Sequence, residues 1–204
     1  MKILIIDYGM GNLGSVKRAF EECGVKVVVS TDPAEADDAD ALVLPGVGAF
    51  RDGMASLVES GWAPRLKSLA QENKPLLGIC LGMQLLATRS FEGGEFEGLG
   101  LIPGEVVKLI PQQQNERVPH VGWNEVVHDS NHSLFSEIVS GTDFYFVHSF
   151  HFKPVNETDA IATTPYCGSF VSAVARQNIL GVQFHPEKSS KPGFKLIKNF
   201  LSMI

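Results

Sequence analysis

Leu76-Leu77-Gly78-Ile79-Cys80-Leu81-Gly82 is the stretch on which the fold turns. An apolar run of strand length, Leu76–Ile79, meets a cysteine set between glycines, and residues 81–88 then read as helix. This is the form of a nucleophile elbow with cysteine in place of serine. A sharp strand-to-helix turn holds such a side chain at the carboxyl end of a sheet strand. Glycines on either side let neighbouring backbone approach without a Cβ clash. The helix that follows points its N-terminus at the sulfur and favours thiolate. The amide of Leu81 is then placed to stabilise an oxyanion. A buried structural cysteine in a glycine-bearing turn would give the same pentapeptide, so the elbow needs partners elsewhere in the chain.

Upstream of the elbow, strands and helices alternate. Ile3–Ile6 is a continuous apolar run, as in a strand buried on both faces. Val16, Ala19, Phe20 and Cys23 recur at helical spacing, and Gly24 ends that helix. Val25–Val29 and Ala41–Leu44 are further strands, the latter stopped by Pro45-Gly46. Helices are expected at about Ala49–Glu59 and Ala63–Gln71, broken at Gly61. Downstream, short strand-like runs crowd together: Glu105–Leu109, Glu125–His128, Phe144–Val147, Ala160–Thr163, Phe170–Arg176 and Ile179–Phe184. The last two flank Gln177-Asn178 as a hairpin. A closing helix presents Phe194, Ile197, Phe200, Leu201 and Ile204. Ser189 or Ser190 would cap it, and Pro192 suits its first turn. The expectation is an α/β fold: a central mixed, mostly parallel sheet with flanking helices, plus antiparallel strands from the second half. No repeat or linker divides the chain, so residues 1–204 are read as one domain.

Composition narrows the function classes. At 204 residues the chain buries enough surface to need no disulfide or metal staple. The net charge is −6 and Lys and Arg are scattered, which speaks against nucleic acid and anionic membranes as partners. Three separated cysteines, Cys23, Cys80 and Cys167, suit a reducing compartment. Met1–Asp7 is too short for a signal-peptide core, and no apolar run reaches the roughly 18 residues of a membrane span. A cytoplasmic location is expected.

A thiol nucleophile needs a base, and the base an orienting group. Of six histidines, His185 ends the mostly apolar run Ile179–Phe184 and is followed by Pro186-Glu187. In extended backbone, residues i and i+2 point to one side, so Glu187 can accept the Nδ1 proton of His185 and leave Nε2 facing sulfur. Read alone, the pair is more readily a solvated histidine and acid at a strand end; beside the cysteine elbow it reads as a triad.

Gly78-Ile79-Cys80-Leu81-Gly82-Met83-Gln84 together with His185-Pro186-Glu187 resembles the class I (triad) glutamine amidotransferases, and Pro45-Gly46-Val47-Gly48 is similar to that family's oxyanion-side loop. The resemblance spans essentially the whole chain. Three further segments narrow it: Asp7–Leu13, Pro119–Asn124 and Tyr145–Phe150. They resemble a glutaminase subunit that serves a cyclase in histidine biosynthesis. The resemblance implies that Cys80 attacks the glutamine side-chain amide, His185 shuttles protons and Glu187 orients His185. It implies oxyanion stabilisation by backbone near Gly46, Gly48 and Leu81. It also implies glutamine binding by Gln84, Glu92 and the backbone near His148, Ser149 and Phe150. Finally, it implies a heterodimer with a (β/α)₈-barrel cyclase, for which Asn12 and Trp123 are the candidate contacts. No cofactor is expected, and with no C-x-x-C and no histidine pair at zincin spacing, no metal.

Gly9-Met10-Gly11-Asn12-Leu13-Gly14, with Asp32 after the next strand, has the spacing of a dinucleotide-binding turn. That reading leaves Cys80 and the His185–Glu187 pair without a purpose, so the glycines are read as shaping a turn near the site or partner face. Three alternatives remain: a triad glutaminase with a different synthase, a lone cysteine hydrolase of other amides, and a dinucleotide-binding or interaction module with a vestigial elbow. Glutaminase activity separates the last from the rest, and co-purification with a barrel cyclase separates the first two.

Overall fold

The computed structural model describes residues 1–129 and 131–204. Its strands are β1 (Lys2–Ile6), β2 (Lys26–Ser30), β3 (Ala41–Gly46), β4 (Leu76–Cys80), β5 (Arg89–Ser90), β6 (Phe96–Glu97) and β7 (Gly104–Lys108). After these come β8 (His120–Val126), β9 (Thr142–His148), β10 (Phe150–Pro154), β11 (Ala160–Thr164), β12 (Phe170–Arg176) and β13 (Ile179–Val182). The helices are α1 (Leu13–Glu22), α2 (Phe50–Glu59), α3 (Trp62–Gln71), α4 (Leu81–Leu85) and α5 (Ser190–Leu201).

The main sheet runs β2-β1-β3-β4-β13-β12-β10-β7-β5-β6, with β11 on β12. From β2 to β13 every pairing is parallel, and from β13 through β7 every pairing is antiparallel. The expected α/β architecture is therefore found, its parallel strands on the side that carries Cys80. The late strand β13 inserts beside β4, Ile179 opposite Leu76, and so brings the end of the chain to the elbow.

Both faces of the parallel half are covered, which is why its strands read as unbroken apolar runs. Ile3 and Ile5 pack with Val16, Phe20, Ile197 and Phe200 of α1 and α5. Leu4 and Ile6 pack with Phe50, Leu57, Trp62 and Leu66 of α2 and α3. Gly61 at φ 78° makes the break between those two helices, as expected.

Several boundaries differ from the sequence reading. The helix read over residues 81–88 ends at Leu85, because the chain must turn to give β5. The strand read as Glu125–His128 begins at His120 instead and pairs with β9 in a separate two-stranded sheet. The strand read as Phe144–Val147 runs from Thr142 to His148, and β10 starts after a break at Ser149. Ile204 lies beyond α5 and is 39% exposed, so it is not part of that helix's buried face. Ser189 occupies the cap position, but its hydroxyl donates to the His185 carbonyl rather than capping α5. Among the described residues no helix is long and apolar enough to cross a membrane.

Candidate active site

Cys80 ends β4 at φ 56° and ψ −111°, a backbone conformation that costs an L-residue about 1–3 kcal/mol and that the surrounding packing must impose. The packing is visible at the flanking glycines. A Cβ on Gly82 would lie 1.8 Å from the carbonyl oxygen of Leu44, and one on Gly78 2.7 Å from that of Gly82. The elbow is thus pressed against β3 with no room for a side chain on either shoulder.

His185 follows β13, and its backbone N–H donates to the carbonyl of Tyr145 at 2.8 Å. The residues after it, Pro186–Lys188, form a 3-10 turn rather than extended chain. Glu187 still returns to His185: Nδ1 donates to Oε1 at 2.8 Å, with the two side chains 3% and 2% exposed. The pairing expected from an i, i+2 alternation is present, but a tight turn makes it. Burial works against a charged ring. Interaction with the Cys80 sulfur and then with Glu187 outweighs it, and the His185 pKa is pushed up to about 9. Nε2 makes no hydrogen bond of regular geometry among the described residues, so its contact with the sulfur, which still favours the charged ring, is a loose one. Loose geometry of this kind is ordinary before substrate enters.

A cavity of about 270 Å³ opens over the sulfur. Cys80, Gly48, Leu81, Gln84, Glu92, His148, Ser149 and Phe150 all line it, as do Val47, Pro119 and Val147. Its size, at the small end for ligand sites, suits an amino acid better than a nucleotide. Gly46 does not line it. It is the last residue of β3, opposite Cys80 in register, where a Cβ would meet the Tyr8 hydroxyl at 2.4 Å. Glu92 Oε2 accepts from the backbone N–H of Phe50, anchoring its carboxylate at the start of α2, whose cap residue Ala49 makes no side-chain hydrogen bond there. The turn Gly9–Gly11 packs beside this loop: a Cβ on Gly11 would touch Pro45, and one on Gly48 would meet the Met10 methyl.

The histidines behind the cavity form an ordered chain. The Phe150 carbonyl can only accept, so His148 Nδ1 carries the proton it donates there at 2.8 Å. His148 Nε2 is then the acceptor for His120 Nδ1 at 3.0 Å, and His120 Nε2 for Asn124 Nδ2 at 3.2 Å. Burial pushes His120 down to about 4. Burial first, and neighbouring histidines after it, push His148 down to about 3 against the pull of the Phe150 carbonyl. Both rings are neutral at pH 7. Sequence reading assigned no role to His120 or Asn124, since neither stands near the elbow until β8 pairs with β9. Asn12 caps α1, accepting from the Ser15 N–H at 3.4 Å, and Trp123 is 52% exposed on β8; both lie outside the cavity.

Fold and site define an α/β protein whose cysteine elbow faces a buried histidine–carboxylate pair. The sequence pattern of the family described as glutamine amidotransferase class-I matches residues 4–204. The chain belongs to that family. The imidazole glycerol phosphate synthase subunit HisH of Moorella thermoacetica is 48% identical to it over 202 residues, covering 99% of this chain and 95% of the relative. The HisH of Geobacter metallireducens is 47% identical, over 97% of this chain and 96% of the relative. Among solved structures, one described as PurLQS from Thermotoga maritima superposes with a TM-score of 0.78 at 18% identity, covering 99% of this chain and 98% of that one. At that identity the likeness speaks for the fold alone.

Proposed function

We propose that the chain is the glutaminase subunit of an imidazole glycerol phosphate synthase, releasing ammonia from glutamine for a cyclase partner in histidine biosynthesis. The observation that carries the chemistry is the strained Cys80 at the mouth of a cavity of amino-acid size, backed by the buried His185–Glu187 pair. The near-full-length HisH relatives support the pathway.

The Cys80 thiolate adds to the side-chain carbonyl carbon of glutamine, and the carbonyl electrons move to oxygen. Amides near Gly48 and Leu81 stabilise that oxyanion. Collapse breaks the C–N bond, and His185 gives its proton to the departing nitrogen, leaving a glutamyl thioester and ammonia. His185, now neutral, takes a proton from water as it attacks the thioester. Glutamate leaves and the imidazolium–thiolate pair is restored. Glu187 holds the ring in the tautomer both steps need. Gln84, Glu92 and the His148–Phe150 backbone hold the amino-acid end of the substrate.

Ammonia protonates in water and loses its nucleophilicity, so the chain works as one domain docked on a synthase. We place the (β/α)₈-barrel cyclase against the face bearing Asn12 and Trp123. The support is an exposed apolar group, Val121, Trp123 and Val147, on paired strands β8 and β9 next to the cavity. Patches of this kind mark interaction surfaces. A cytoplasmic location follows from the same reading and is checked by fractionation. The decisive assay is glutamate release from glutamine by the purified chain, with and without the cyclase and its ligand. Weak activity alone and strong stimulation by the partner are expected; full activity alone, unchanged by the cyclase, would sink the subunit reading.

A further inference from the structure

Gln183 stands between β13 and His185, is fully buried, and has no part in the chemistry above. The orientation of its amide is determined by its neighbours. The Phe150 carbonyl, an obligate acceptor, takes a hydrogen bond from Gln84 Nε2 at 2.8 Å. The same Gln84 nitrogen donates to Gln183 Oε1 at 2.9 Å. With its oxygen so engaged, Gln183 turns Nε2 toward Cys80 Sγ, 3.8 Å away. Reversing the Gln183 amide would set two NH₂ groups against each other and an oxygen against sulfur. The Val147 carbonyl, 3.9 Å from the sulfur, can only accept and so offers nothing to a negative charge there. Gln183 is the neutral donor that does.

We infer that Gln183 is a further catalytic residue: its amide N–H, aimed by Gln84 and the Phe150 carbonyl, stabilises the Cys80 thiolate and holds it for attack. Gln84 is then a positioning residue for the nucleophile as well as a wall of the substrate cavity. This rests on Cys80 being the nucleophile. The ionisable groups coupled to the sulfur are Tyr8, beyond β1, and His185, beyond β13. Both are retained in the variants below.

The test is the rate of Cys80 alkylation by iodoacetamide between pH 5 and 10, read on the Cys80 peptide by mass spectrometry in the full-length chain. Gln183→Met keeps the length of the side chain and removes the donor. The midpoint of its rate profile is expected to move to higher pH, with alkylation at pH 7 slowed roughly 10- to 150-fold, as for loss of one hydrogen bond to a charged group. Gln84→Met leaves Gln183 in place but frees its amide to turn, and a smaller shift in the same direction is expected; it carries the test if Gln183→Met does not fold by circular dichroism. An unmoved midpoint in the folded variant overturns the role of Gln183. Failure of the glutamine analogue 6-diazo-5-oxonorleucine to label Cys80 in the unmodified protein would instead overturn the nucleophile assignment.

Discussion

Replacing Glu187 with Gln removes a charge from the site while keeping the shape of the side chain. In the native site Glu187 Oε1 accepts from His185 Nδ1 at 2.8 Å in a buried setting. Burial disfavours the imidazolium, yet the sulfur and the carboxylate together raise the His185 pKa from 6.5 to about 9. That difference corresponds to about 3 kcal/mol in favour of the charged ring. Without the carboxylate, burial is opposed by the sulfur alone, and the pKa falls. A hydrogen bond to a charged group contributes about 1.5–3 kcal/mol, so glutamine turnover should fall roughly 10- to 150-fold. The assay is steady-state glutamate release in the presence of the cyclase, paired with an NMR titration of the His185 ring. Stability carries the same signature. A raised histidine pKa contributes stability that is fully present below pH 6.5 and is lost as pH rises through about 9. The lead of the native chain over Glu187→Gln in thermal melts should therefore be largest near pH 6 and shrink toward pH 9. Native turnover together with an unchanged His185 titration would refute the reasoning.

Cys80→Ala should abolish glutamine hydrolysis and leave the fold intact, whereas Cys23→Ala and Cys167→Ala should keep activity; labelling of Cys23 or Cys167 by the diazo analogue would contradict this. Gly82→Ala should lower the Tm by several degrees, from an overpacking cost of about 2–3 kcal/mol, because the new Cβ meets backbone of β3 that cannot yield. A melt unchanged from the native chain would mean that the elbow is not pressed against β3.

What was legible in the sequence follows from burial. Ile3–Ile6, Ala41–Leu44 and Leu76–Ile79 are covered on both faces, so they stand out as apolar runs. β8 is exposed on one side, with Val121, Trp123 and Glu125 outward, and its His120–Asn124 portion carries Gly, Asn and His; such a stretch reads as loop until its partner strand is known. β5 and β6 have two residues each, too few for any periodicity. The His185–Glu187 pairing was legible from spacing although the turn that makes it was not. Gln183 was hidden for another reason: between Val182 and Phe184 it looks like any strand residue, and its partner Gln84 is 99 positions away. A buried amide among apolar neighbours was the one available signal.

The parallel insertion of β13 beside β4 also sets a timetable for synthesis. Cys80 leaves the ribosome about a hundred residues ahead of His185 and Glu187, and until β13 arrives one edge of β4 has no native strand to pair with. For that interval the thiol has neither His185 nor Gln183 beside it, and the growing chain presents an open strand edge of the kind that invites association with other chains. β13 closes that edge, and the residues that follow it directly bring Gln183 and His185 to the cysteine with it. A ribosome-stalled or truncated product ending before residue 179 would thus be inert toward glutamine, and so could not leak ammonia, but would be a ready client for chaperones.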